Sequence, residues 1–185
     1  EKVSWIEEYI KGNTVRRQTL YTYQNYVLTQ TRTMVNKTGS GQMILESRSI
    51  YQGGEDDEVV ASTTQYNGDG TKVSSTTNYQ YTSYGPKSFL TKSTTTDQLG
   101  RISSESTYDT FGERVISGTQ YVSGSAVYTT SYDYRADLTL EKVTTMKGAY
   151  KWDESQYYTD GERIQKKTYY GFLGHMTGSE EYIYR

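Results

Sequence analysis

Asp97-Gln98-Leu99-Gly100-Arg101-Ile102 is followed twelve residues later by Asp109-Thr110-Phe111-Gly112-Glu113-Arg114-Val115. Aspartate and glycine keep their spacing in both copies, and looser echoes stand at Tyr132-Asp133-Tyr134-Arg135-Ala136-Asp137-Leu138 and Tyr158-Thr159-Asp160-Gly161-Glu162-Arg163-Ile164. The unit reads tyrosine-aspartate, turn, glycine, arginine, aliphatic. Each residue has a physical role, in that the aspartate side chain caps the turn amides, glycine takes the positive φ, and the aliphatic residue starts the returning strand facing inward. A strand and turn repeated in this way predict an array of hairpins.

Outward from this stretch, apolar residues alternate with period two and nowhere recur at three and four, so helices should be nearly absent. Val15, Arg17, Thr19, Tyr21 and Tyr23 share one face of a run, as do Tyr128, Thr130, Tyr132 and Tyr134. Such runs predict fourteen half-buried strands at 3–10, 14–23, 26–35, 42–51, 58–66, 71–82, 87–96, 101–108, 113–122, 126–134, 138–147, 149–158, 162–170 and 176–184, with ends good to about 2 to 4 residues. Between them lie Gly12-Asn13, Asn25, Gly39-Ser40-Gly41, Gly53-Gly54, Asn67-Gly68-Asp69-Gly70, Tyr84-Gly85-Pro86, Ser123-Gly124-Ser125 and Leu173-Gly174, connections too short for parallel crossovers. The expected fold is all-β, an antiparallel meander of about a dozen or more hairpin-linked strands, curled into an open, elongated or barrel-like sheet. Residues 1–185 read as a single tyrosine-rich domain.

Val, Ile, Leu and Phe supply only 30 of the 185 residues, whereas tyrosine supplies 21. Tyrosine is therefore the expected core residue, burying its ring while the hydroxyl finds a partner. A net charge of −2 provides no basic field for nucleic acid or an anionic membrane surface. The absence of cysteine excludes disulfides, thiolate metal sites and thiol nucleophiles. No stretch approaches the 18 apolar residues of a membrane-spanning helix, and serine and threonine at most alternate positions argue against a membrane barrel. A chain opening at Glu1 fits a mature protein whose signal has been removed, or a sequence trimmed at that point, and the expected location is secreted, periplasmic or cell-surface.

At Tyr108-Asp109-Thr110-Phe111-Gly112-Glu113-Arg114 the sequence resembles the YD repeat of the Rhs and teneurin families, whose tyrosine-rich hairpins build a coiled β-sheet shell. Residues 97–164 carry the pattern. Those families use far longer arrays, and their arginine follows glycine directly, as in Gly100-Arg101. The chain as a whole also looks like the small secreted Bacteroidetes proteins of unknown function, a resemblance of composition that implies no functional residues.

The sole histidine, His175, lies in a turn, without the spaced partners that a triad or a two-histidine metal site needs. Glu55-Asp56-Asp57-Glu58 and Asn67-Gly68-Asp69-Gly70 offer oxygen donors, but they read as a solvated loop and a hairpin turn rather than calcium loops. Glu105, Glu113, Asp153, Glu154 and Glu180 could be imagined as paired hydrolytic carboxylates, and cross-strand ion pairing explains them more simply. Asn36-Lys37-Thr38 fits the N-glycosylation pattern, which is common by chance. No catalytic residues, metal site or cofactor are expected.

Aromatic residues cluster at Tyr21, Tyr23 and Tyr26; at Tyr79, Tyr81 and Tyr84; at Tyr150, Trp152, Tyr157 and Tyr158; and at Tyr169, Tyr170 and Phe172. Most should be core, and of the adjacent pairs 157–158 and 169–170 one ring each should stand outside. The candidate binding residues are Tyr150, Trp152, Tyr157 and Tyr158. Alternation puts Tyr150, Trp152, Glu154, Gln156 and Tyr158 on one face, rings beside a carboxylate and an amide, although the preferred reading of Trp152 itself is a buried anchor, since the sheet would otherwise have almost no core. The expected function is a non-catalytic structural or interaction module meeting an unknown protein at the cell surface. A carbohydrate-binding module using exposed rings is the alternative, and a glycoside hydrolase the remote one.

Overall fold

The computed structural model describes residues 2–10, 14–37, 39, 41–84 and 87–184, with Tyr84 and Phe172 by backbone only. The expected turns at Gly12-Asn13 and Gly85-Pro86, together with Thr38 and Ser40, lie outside the described residues. Among the described residues fourteen strands succeed one another in chain order as an antiparallel meander. The only helical element among the described residues is a 3₁₀ turn at Phe172–Gly174.

Clustering of contacts divides the chain into two units, residues 1–102 and 103–185. The first holds β1 (Trp5–Ile10), β2 (Thr14–Gln24), β3 (Val27–Val35), β4 (Ile44–Gln52), β5 (Val59–Tyr66), β6 (Val73–Tyr84) and β7 (Lys87–Asp97). The second holds β8 (Ile102–Tyr108), whose first residue precedes the division, then β9 (Val115–Val122), β10 (Ser125–Tyr134), β11 (Leu140–Lys147), β12 (Tyr150–Tyr157), β13 (Ile164–Tyr170) and β14 (Met176–Glu181).

The turns are built as their residues dictate. Asp97 Oδ1 accepts from the amides of Leu99 and Arg101 at 2.8 and 3.0 Å, and its Oδ2 lies 2.8 Å from Arg101 Nε. Asp109 Oδ1 accepts from the amides of Glu113 and Arg114, and Asp160 Oδ1 from those of Glu162 and Arg163. Gly100 and Gly112 have φ of 76° and 69°, the left-handed region that glycine enters without a Cβ penalty.

One irregularity recurs near the turns. In the first unit Tyr9, Tyr23, Tyr51, Tyr66 and Tyr81 stand opposite Val15, Leu28, Val60, Val73 and Leu90, and the residue after each aliphatic partner is a β-bulge without a place in the ladder. Met34 opposite Leu45 repeats the arrangement. In the second unit Tyr108, Tyr121, Tyr134, Tyr157 and Tyr170 face Val115, Ala126, Leu140, Ile164 and Met176, and Met146 faces Lys151. A bulge sharpens strand twist and leaves a gap in the ladder, and a large flat side chain covers it. Some hydroxyls also stitch neighbouring hairpins: Tyr81 donates to the Val60 carbonyl at 3.0 Å and Tyr134 to that of Val115 at 2.9 Å.

The expectation of a tyrosine core is corrected. Among the described residues of each unit the strands pack chiefly on their neighbours in sequence, and no second layer is seen over either face within a unit. Among the described residues Val35 is the sole buried apolar side chain, and no large side chain is fully buried. The tyrosine rings lie along the sheet, mostly half-buried on both faces. Tyr157, Tyr158, Tyr169 and Tyr170 are all of this kind, so neither adjacent pair has one ring inside and one outside.

Candidate functional site

At one end of β12, three hairpin ends of the second unit converge. The β9–β10 bulge leaves Val127 outside the ladder, and its carbonyl accepts from the amide of Gly148 in the β11–β12 turn at 3.3 Å. The 3₁₀ turn before β14 packs on β12, with Gly174 close against Tyr150. Together these elements frame an open groove of about 670 Å³, whose side chains include Val127, Lys147, Tyr150, Trp152, Tyr170 and Leu173.

The bulge inside β12 decides which side chains share a face. Thr145 pairs with Asp153 and Met146 with Lys151, so Trp152 is the extra residue. Regular alternation would separate Lys151 from Glu154, yet Lys151 Nζ lies 2.8 Å from Glu154 Oε2, and Gln156 Nε2 donates to Glu154 Oε1 at 3.3 Å. Lys151, Glu154 and Gln156 therefore occupy one face. Tyr150, paired with Lys147, shares the other with Trp152 and Asp153. The expected mixture of rings with Glu154 and Gln156 is thus overturned by a one-residue change of phase, and Asp153 becomes the carboxylate on the ring face.

Trp152 is 41% exposed and Tyr150 46%. Trp152 is no buried anchor. Tyr128 meets it edge-on at 6.1 Å between ring centres, and the Lys147 ammonium sits 4.7 Å from the Trp152 ring centre and 5.7 Å from that of Tyr128. Lys151 lies 5.1 Å from the Tyr170 ring centre. The hydrogen bond from Lys151 holds the Glu154 carboxyl below its ordinary range, and the same contact raises Lys151.

Tyr157 and Tyr158 are not part of this groove. They stand at the far end of β12, about 20 Å away at the rise of a strand. Tyr157 faces Ile164, its carbonyl accepts from Arg135 Nη2 at 2.6 Å, and burial pushes its phenol upward. Tyr158 donates to the Tyr182 carbonyl at 2.8 Å and meets the Tyr184 ring edge-on, with Arg163 against both rings. The predicted set of four is thus two separate pairs. Val127, Tyr128, Lys147, Tyr170 and Leu173 were not among the four candidate binding residues, although Tyr170 stood in an expected aromatic cluster, because strand pairing and the 3₁₀ turn assemble them with Trp152.

Leu173 is 49% exposed and adopts φ 67°, a conformation that costs a leucine strain. His175, the next residue but one, is exposed in its turn, where its carbonyl accepts from the Gly171 amide at 2.8 Å. The acidic run is divided: Glu58 caps the Leu28 amide at 3.0 Å and Glu55 lies 3.5 Å from Lys2. Asn67 and Asp69 cap the amide of Thr71.

No protein-family model matches this chain, and no curated protein matches it. Among solved structures, a porin-like protein from Bacteroides uniformis ATCC 8492 aligns with 94% of this chain and 92% of its own, at 10% identity and a TM-score of 0.38. A protein with unknown function from Bacteroides fragilis NCTC 9343 aligns over 90% and 93%, at 11% identity and a TM-score of 0.27. Among the described residues no helix is long and apolar enough to cross a membrane.

Proposed function

We propose that the protein is a non-catalytic interaction module, secreted or displayed at the cell surface, and that the groove at Tyr150 and Trp152 is its contact surface. The carrying observation is the exposure of Tyr150, Trp152 and Leu173 together around one concavity of the second unit. Contiguous apolar surface of this kind suits a partner. A strained leucine at the rim fits the same reading, because strain is retained where it serves a site. Lys147 at the margin favours a partner with a carboxylate beside its apolar residues. Glu154 is engaged in an ion pair with Lys151, which suits a structural role for that carboxylate better than that of a proton donor. The tyrosine-aspartate hairpins, in the manner of YD repeats, would be the scaffold holding this surface.

The test is a photoreactive amino acid at position 173, irradiated in the presence of cell-envelope fractions, with position 26 as an exposed control in the other unit. A discrete adduct formed from 173, absent from 26 and abolished by Trp152→Ala supports the proposal. Adducts that ignore Trp152 contradict it.

A second reading is carbohydrate binding, favoured by Asp153 joining Tyr150 and Trp152 on one face, so that stacking rings have a hydrogen-bond acceptor beside them. A glycan array separates the two: saturable, Trp152-dependent glycan binding supports this reading over a protein partner.

A further inference from the structure

In the first unit the bulge between Tyr9 and Val15 leaves Arg16 outside the ladder. A bulge of this kind turns successive side chains toward one side, so Arg16 and Arg17 do not diverge as they would in a regular strand. Both line a second concavity of about 280 Å³, together with Val35, Asn36, Lys37 and Glu46. Glu46 is itself the bulge residue of the β3–β4 pair. Three cations against one carboxylate leave this corner at +2, in a chain whose net charge is −2.

Asn36 is 9% exposed and is fixed in orientation: its amide donates to the Arg16 carbonyl at 2.9 Å and its Nδ2 to that of Val15 at 3.2 Å. Its Oδ1 therefore faces away from those contacts, and among the described residues it is buried without a hydrogen-bond partner. Among the same residues Arg17 Nε is likewise buried and unpartnered, although Arg17 Nη2 reaches Glu46 Oε2 at 3.0 Å. The two side chains that carry this unused donor and this unused acceptor both line one cationic pocket. Arg135 in the second unit shows the opposite condition, with its guanidinium donating to the carbonyls of Leu140, Tyr157 and Tyr158.

We propose that this corner binds an oxyanion that carries a proton, with hydrogen phosphate or a phosphate monoester as the chemical class. An anionic oxygen accepts from Arg17 Nε as the guanidinium turns from Glu46 toward the ligand. The ligand's own hydroxyl donates to Asn36 Oδ1, and Arg16 and Lys37 supply the remaining charge. A fully deprotonated anion satisfies the arginine but leaves Asn36 without its donor, so the pocket should distinguish phosphate from sulfate. This site is built from residues of the first unit, and the proposal does not rest on the reading of the Trp152 groove.

The experiment titrates the whole chain with inorganic phosphate and with sulfate at pH 7 and constant ionic strength, following the amide resonances of Arg17, Asn36 and Lys37. Saturable phosphate binding, about tenfold tighter than sulfate, is expected from the added hydrogen bond. Arg17→Met should abolish it, and Arg16→Gln or Lys37→Gln should weaken it several-fold. Glu46→Gln removes the carboxylate that competes for Arg17 and should tighten it. Equal affinity for the two anions, phosphate binding that survives Arg17→Met, or weaker binding in Glu46→Gln would each overturn the proposal. An unchanged melting curve for Arg16→Gln and Lys37→Gln keeps the comparison independent of folding.

Discussion

The Lys151 ammonium lies 2.8 Å from the Glu154 carboxylate three residues later in the same strand, a contact that regular pleating forbids. Trp152 makes it possible by standing outside the ladder, and the same bulge keeps Trp152 and Asp153 on the face opposite the ion pair. Deleting residue 152 should therefore remove the ring and the bulge yet keep the pair, because regular alternation then places Lys151 and Glu154 two positions apart on one face with Asp153 still opposite. A Lys151 pKa that stays raised in a side-chain titration checks this, and its loss would count against the bulge assignment.

The tyrosines at the bulges should matter more for their place than for their number. Tyr134→Phe removes the hydrogen bond to the Val115 carbonyl and should cost about 1 kcal/mol in denaturant unfolding. Tyr26→Phe, at an exposed turn residue, should cost nothing measurable.

Glycines with similar φ should differ in their tolerance of alanine. At Gly100 a Cβ would meet nothing within 4 Å, so Gly100→Ala carries only the backbone strain, about 1 kcal/mol. At Gly161 it would approach the Leu140 amide nitrogen to 2.7 Å, so Gly161→Ala should be clearly more destabilising. Equal losses in thermal melts would contradict this packing of the β12–β13 turn.

Acid should weaken the turns in a defined window. The amides of Arg163 and Glu162 hold the Asp160 carboxyl down at about 2, and hydrogen bonds from Arg101 lower Asp97. A carboxyl lower in the folded than in the unfolded chain adds stability above its unfolded pKa, near 3.9, and loses that contribution as pH falls through its folded value. Stability should thus decline between about pH 4 and pH 2. Asp160→Asn should flatten that decline, which urea midpoints taken at several pH values will show.

Leu173→Gly should separate stability from binding. Glycine relieves the positive φ, so the melting temperature should hold or rise, whereas the groove loses an apolar wall and the contact surface should weaken. A fall in stability would show that Leu173 serves folding.

Strand positions were legible because alternation and turn chemistry are local. The run expected at 14–23 is Thr14–Gln24, and the run at 149–158 is Tyr150–Tyr157. The bulges were not legible, because one extra residue leaves alternation intact on either side and changes only its phase. Tyrosine just before the turn was their visible trace, at Tyr108, Tyr134 and Tyr157. Half of the candidate site followed: Tyr150 and Trp152 lie in the groove, whereas Tyr128 and Leu173 reach it through cross-strand pairing and a turn that sequence spacing does not encode. A hydrophobic core was expected because tyrosine is abundant, yet abundance cannot reveal how many layers a sheet has.

The most direct test of the groove as a contact surface is Trp152→Ala, measured both by thermal melting and by photocrosslinking from position 173. Trp152 is 41% exposed and held by one edge-on ring contact and one ammonium, so the substitution should cost only about 1–2 kcal/mol. A contact surface at Trp152 predicts a small fall in melting temperature with loss of the specific adduct. A large fall in stability, or an adduct that persists undiminished in the folded variant, would contradict it.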